Sequence, residues 1–117
     1  MNRRNFDIIL KHNGYDFKSQ SINSLDRTIG LTRLIHAIRL GYVEMVQLMI
    51  DEGADIEETG RGSKTPLMYA IESNNIPASK LLIKSGANVN AVDDNGMSVR
   101  HYAKRNGSNV IITKTYI

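Results

Sequence analysis

Apolar residues in the stretch 65–85 recur in two short bursts with helical spacing. Leu67, Ala70 and Ile71 stand at i, i+3 and i+4, on one face of a short helix. Thr65 is a good N-cap, and Pro66 suits the first helical position, where its missing N–H costs nothing. Asn74-Asn75 ends this helix. Ala78, Leu81 and Leu82 give a second helix its apolar face, with Pro77 in its first turn and Gly86 as the left-handed residue after it. Residues 87–97 hold Asn, Asp and Gly, which form turns. The predicted unit is helix, turn, helix, extended loop. One such unit leaves apolar faces uncovered, so copies of it must stack.

The copies are present at a fixed offset of 33 residues. Thr65-Pro66-Leu67-Met68-Tyr69-Ala70-Ile71 aligns backward with Thr32-Arg33-Leu34-Ile35-His36-Ala37-Ile38, and forward with Ser98-Val99-Arg100-His101-Tyr102-Ala103. The same offset joins Gly53-Ala54-Asp55-Ile56 to Gly86-Ala87-Asn88-Val89, and Gly41 to Asn74 to Gly107. These blocks resemble the ankyrin repeat. That family's pattern has a Thr-Pro-Leu-His-x-Ala opening, a Gly between its helices and a Gly-Ala-Asp-Val-Asn exit. Thr65-Pro66-Leu67 matches the opening, with Met68 in place of the His. The resemblance covers residues 31–107 most clearly. It implies an all-α solenoid of stacked helix-turn-helix units with extended loop and β-turn tips. The chain then reads as one domain, 1–117. It holds a partial repeat and long loop (1–30), repeats at 31–63 and 64–96, and a capping repeat at 97–117.

The ends depart from the pattern. Phe6-Asp7-Ile8-Ile9-Leu10-Lys11 reads as a second helix whose first helix is missing or shrunk to residues 1–5. The 39 residues from Gly14 to Gly53 give the first loop, about 18–31, six extra. Downstream, Arg100 replaces the core Leu, Lys104 takes a position usually small or apolar, and Lys114 and Thr115 fall where Leu81 and Leu82 stood. Polar residues on the outer face of a terminal repeat are what a solenoid cap requires. The β-branched run 110–117 offers a contrary reading, an uncapped end that a second copy would cover.

Length and composition add limits. The 117 residues contain no Cys, which excludes disulfides and thiolate zinc sites. A chain of this size buries about 65% of its unfolded surface, enough for a core without staples. No apolar run approaches the roughly 20 residues that span a bilayer. Asp7 stands where a signal peptide needs its apolar centre, so a cytoplasmic protein is expected. The net charge of +3 is mildly basic. Asp51, Glu52, Asp55, Glu57 and Glu58 form an acidic run, whereas after Asp94 only bases follow: Arg100, Lys104, Arg105 and Lys114.

Candidate chemistry mostly fails on inspection. Gly60-Arg61-Gly62-Ser63-Lys64-Thr65 places Lys-Thr after glycines, but a phosphate loop needs Gly where Glu58 and Ser63 stand, and a preceding strand. It reads as a flexible repeat tip. Asp93-Asp94-Asn95-Gly96 lacks the other ligands of a calcium loop, with Ala91 and Tyr102 in their places. His12, His36 and His101 have no helical pair spacing and no carboxylate at a recognisable distance in sequence. No catalytic residue, metal site or cofactor is expected.

The resemblance implies a module that binds a protein through its concave face, as an inhibitor or immunity-type protein acting by occlusion. Carried over position by position, the contact surface takes Thr59, Arg61, Lys64, Val92, Asp94, Asn95 and Met97 from the tips. From the first helices it takes Arg39, Leu40, Glu72, Ser73 and Arg105. Leu40 and Met97 would be apolar anchors, and Arg39, Arg61 and Arg105 polar ones. The alternative partner is nucleic acid at the basic C-terminal end. A monomer is expected ahead of a homodimer, and no membrane contact.

Overall fold

The computed structural model describes residues 1–17, 19 and 21–107. Among these, six α-helices follow in order: α1 (Arg3–His12), α2 (Arg33–Leu40), α3 (Val43–Asp51), α4 (Pro66–Glu72), α5 (Ile76–Lys84) and α6 (Val99–Asn106). The boundaries have local causes. Thr32 Oγ1 accepts the Ile35 N–H at 3.1 Å and Thr65 Oγ1 the Met68 N–H at 3.2 Å, which caps α2 and α4. His101 Nδ1 accepts the Ser98 N–H at 3.0 Å at the start of α6. Gly41 and Gly107 end α2 and α6 at φ of 83° and 71°. Asn74 supplies the same left-handed turn after α4, at φ 55°.

The helices form two layers. In the inner layer α2 packs on α4 and α4 on α6; in the outer layer α1 packs on α3 and α3 on α5. The pairs α2–α3 and α4–α5 close each repeat. Ile35, Ile38, Met45, Met49, Leu67, Met68 and Leu82 are fully buried between the layers, each contributing about 1.5–3 kcal/mol by leaving water. The stack measures 38 × 27 × 21 Å.

Polar side chains tie each repeat to the next at groups the helices leave open. Asn75 Nδ2 donates to the Ile38 carbonyl at 3.0 Å, and Asn106 Nδ2 to those of Ile71 and Glu72 at 2.6 and 3.0 Å. Both fill unpaired acceptors at the end of the preceding inner helix. On the opposite side Asn23 Oδ1 accepts the Asp55 N–H and Glu57 Oε2 the Asn88 N–H, both at 2.8 Å.

The N-terminal end differs from the sequence expectation. α1 begins at Arg3, so residues 3–5 belong to the helix that carries Phe6 and Leu10, and no separate first helix lies within 1–5. The extra loop covers α2 instead. Arg33 stands where the next repeat has Pro66, and its side chain is only 3% exposed. Its Nε donates to Asp7 Oδ1 at 2.7 Å and its Nη1 to Ser21 O and Ser24 Oγ at 2.8 and 2.9 Å. Its guanidinium carbon lies 4.1 Å from the Phe17 ring centre. The Tyr15 ring sits 4.1 Å from His36.

A second correction concerns His36, for which no carboxylate partner is expected. Its Nε2 lies 2.7 Å from Asp26 Oδ2, with both residues buried. Asp26 also accepts the N–H groups of Thr28, Ile29 and Leu31 at 2.8–3.0 Å. The arrangement repeats along the stack. Asp26, Gly60 and Asp93 each open a turn closed by a backbone bond from their own N–H to Leu31, Lys64 and Met97 respectively. The ring that follows is His36, Tyr69 or Tyr102. The Tyr102 hydroxyl donates to Asp93, whereas the middle turn has no carboxylate. There the Tyr69 hydroxyl accepts the Arg61 N–H at 3.1 Å, and a Cβ on Gly60 would lie 2.8 Å from that oxygen and 2.6 Å from Leu31 Cδ2. The tip Arg61–Ser63, read from sequence as flexible, is a closed 3₁₀ turn.

At the other end Arg100 and Lys104 are exposed, where their counterparts Leu67 and Ile71 are buried. This agrees with a polar outer face on the last repeat. Lys114, Thr115 and the run 110–117 lie outside the described residues.

Two predictions follow from the turns. Burial holds His36 below the ordinary imidazole value of 6.5, with the Asp26 hydrogen bond and charge offsetting only part of that. An unfolded chain therefore takes up a proton near 6.5 that the folded chain refuses, and stability falls as pH drops through that value. Burial works to raise Asp26, but its backbone and His36 hydrogen bonds outweigh this and hold it below 3.8. The Tyr102 hydrogen bond does the same for Asp93. The stability these two contribute is lost at lower pH, below 3.8. The melting temperature should thus drop between about pH 7 and 5.5, and His36→Tyr, which copies Tyr69 and Tyr102, should abolish that drop. An unchanged drop in the variant contradicts the assignment. Gly60→Ala should cost about 1–3 kcal/mol in chemical denaturation by forcing Tyr69 and Leu31 apart; a neutral result means the turn has room that the structure denies.

Candidate protein-binding face

The inner helices and the tips converge on one face. Arg39 and Leu40 are exposed at the end of α2, Glu72 and Ser73 at the end of α4, and Arg105 near the end of α6. Leu40 is 48% exposed, large for an apolar side chain at a helix end. Arg61, Asp94, Asn95 and Val92 are exposed on the tips, Val92 at 59%. Thr59 and Lys64 are half-buried. Met97 is half-buried and packed against the core, with its backbone N–H held by Asp93 Oδ1 at 3.0 Å.

Contacts join these residues into a strip. Arg39 and Arg61 line one open recess of about 280 Å³, with Tyr69, Ile29 and Leu31 as its apolar floor. Lys64 Nζ donates to Glu72 Oε1 at 2.6 Å. The same ammonium lies 4.7 Å from the Tyr69 ring centre and 5.1 Å from that of Tyr102, favourable cation–π distances. The Arg105 guanidinium lies 5.8 Å from the other contact, the Tyr102 ring. The tips are linked too, since the Asp94 N–H donates to the Gly62 carbonyl at 2.8 Å. Burial and the Asp93 hydrogen bond push the Tyr102 hydroxyl far above its ordinary value, so it stays a neutral donor at any physiological pH.

Sequence reasoning places the outer residues of this strip but misses its floor. Tyr69 and Tyr102 share the 33-residue register with His36, and that register is the signal that marks them as inward-facing rings. Ile29 and Leu31 belong to the irregular loop and have no such signal.

The acidic run sits elsewhere. Asp51 ends α3, and Glu52, Asp55, Glu57 and Glu58 follow in the exit turn. Glu57 is engaged with Asn88 there. Among the described residues no three His, Asp or Glu side chains form a group able to hold a metal ion. No described helix is long and apolar enough to cross a membrane.

The family model for ankyrin repeats in three copies matches residues 5–93. The mouse homologue of B-cell lymphoma 3 protein is 39% identical over 67% of this chain, which spans 18% of that relative. The phosphocholine transferase AnkX of Legionella pneumophila is 40% identical over 56% of this chain, and the match covers 7% of it. A fowlpox virus protein named for its ankyrin repeats is 26% identical over 82% of this chain and 89% of its own length. The chain thus spans under a fifth of the mouse relative and nearly all of the fowlpox virus one. Repeats of this kind generally bind other proteins rather than catalyse a reaction. With three repeats matched and two helical layers in register, the chain belongs to the ankyrin repeat family, whose repeats are protein–protein interaction modules.

Proposed function

We propose that the chain is a non-catalytic, monomeric cytoplasmic module that binds one protein partner through its inner face and works by occlusion, as an inhibitor or immunity-type protein does. The observation that carries this reading is the continuous strip from Arg39 to Arg105, with exposed Leu40 beside it. A buried aromatic floor with cations and an apolar side chain around it has the composition of an interface centre. One stack 38 Å long offers room for a single standard-sized contact more readily than for several partners. We take residues 1–117 as one functional domain, with repeats at 31–63 and 64–96 between a partial unit at 1–30 and a cap at 97–117.

Nucleic acid at the basic C-terminal end is the weaker reading. Arg100, Lys104 and Arg105 are exposed on α6. Single-strand binding, however, needs open aromatic faces, and Tyr102 is only 4% exposed, with cations against its ring.

The test is the partner's affinity for the variant Arg39→Ala/Glu72→Ala/Arg105→Ala, whose three positions are exposed and outside the core. Affinity should fall by at least about tenfold, the scale of losing an interface hot spot, while the melting temperature holds. Affinity within about twofold of the parent removes the inner face from the interaction.

A further inference from the structure

We propose that the inner face selects an acidic protein segment, one in which carboxylate side chains alternate with apolar ones; the inference rests on the protein-binding reading above. Three arginines carry it. Among the described residues Arg39, Arg61 and Arg105 have no carboxylate within ion-pair distance. All three are exposed on this one face. Lys64 is different, since Glu72 already neutralises it. In the exit turn the Glu57 carboxylate accepts the Asn88 N–H, and the Asp55 N–H donates to Asn23, both bonds between repeats.

The layout fits an extended chain. Arg39 and Arg61 flank the recess whose floor is Ile29, Leu31 and Tyr69, so an apolar side chain can enter between two cations. Tyr102, Lys64 and then Arg105 continue the strip along the stack. Arginine presents a planar fork that matches a carboxylate with two parallel hydrogen bonds. Leu40 and Val92 add apolar contacts at the rim.

The same arginines would attract phosphates, but the rest of the face argues for protein. Tyr69 and Tyr102 are 7% and 4% exposed, and Lys64 lies over both rings. No base can stack on them. A phosphate backbone binds by counterion release to basic surfaces denser than these three separate arginines.

Fluorescence anisotropy tests this with three labelled probes: a short peptide alternating Glu and Leu, its counterpart alternating Gln and Leu, and a DNA duplex. The Glu/Leu peptide should bind about tenfold more tightly than the Gln/Leu peptide, the sum expected for a few exposed charge pairs. In Arg39→Gln/Arg61→Gln/Arg105→Gln the two peptides should bind alike. Amide chemical-shift changes on titration should centre on Arg39, Arg61, Tyr69 and Arg105. Equal binding of both peptides by the parent chain, or shift changes confined to other faces, overturns the proposal. Tighter binding of the duplex, lost in the arginine variant, overturns it in favour of nucleic acid. The two readings fail separately. If the alanine variant loses its natural partner while the peptides are not distinguished, the face binds protein but not by acidity. If the peptides are distinguished while the natural partner ignores the alanine variant, the acidic preference is real and the binding module acts through another surface.

Discussion

Every helix pair in this stack has an apolar face that only its neighbour can cover. Helices of 7–10 residues are too short to persist alone, so the repeats hold their shape through burial of Ile35, Met45, Leu67, Leu82 and their like between layers. Stacking fixes the register of the inner helices, and the register fixes which side chains reach the inner face. Arg39, Glu72 and Arg105 stand 33 residues apart near the ends of α2, α4 and α6, and Asn75 and Asn106 hold the first two of those ends in place. The strip they form follows directly from the constraint that no repeat stands alone.

A stack must also stop. At the C-terminal end it stops by composition, with Arg100 and Lys104 turned to water where earlier repeats bury Leu67 and Ile71. At the N-terminal end it stops by insertion. The partial repeat lacks an inner helix, and the long loop lays Tyr15 and Phe17 against His36 and Arg33. A buried guanidinium is costly unless its donors are satisfied. Asp7, Ser21 and Ser24 supply the acceptors for Arg33, and in doing so they pin the loop to both α1 and α2.

The division between what was legible in the residues and what was not follows from this geometry. The 33-residue period, the caps Thr32, Thr65 and Ser98, and the left-handed turns at Gly41, Asn74 and Gly107 are local signals repeated three times. They give the helices and their order without the structure. Arg33 could not be read that way, because its partners are brought to it by a loop that occurs once. The Asp26–His36 pair was hidden for a related reason. Asp93 precedes Tyr102 by nine residues, but the inserted loop lengthens the first turn and places Asp26 ten before His36, off the repeat register. On the binding face the outer residues were placed from the family pattern. Met97 comes from the same pattern, and its half-buried packing against the core is a detail that the pattern alone does not give.

The central claim is that stacking leaves the inner face as the surface for a partner. Hydrogen exchange of the backbone amides, compared with and without the bound natural partner, addresses it most directly. New protection at the ends of α2 and α4 and across the tips 59–64 and 92–95, with little change at the exit turns 52–58 and 85–91, is the result this account predicts. Protection concentrated in those exit turns and the outer helices α3 and α5, with the tips unchanged, would contradict it.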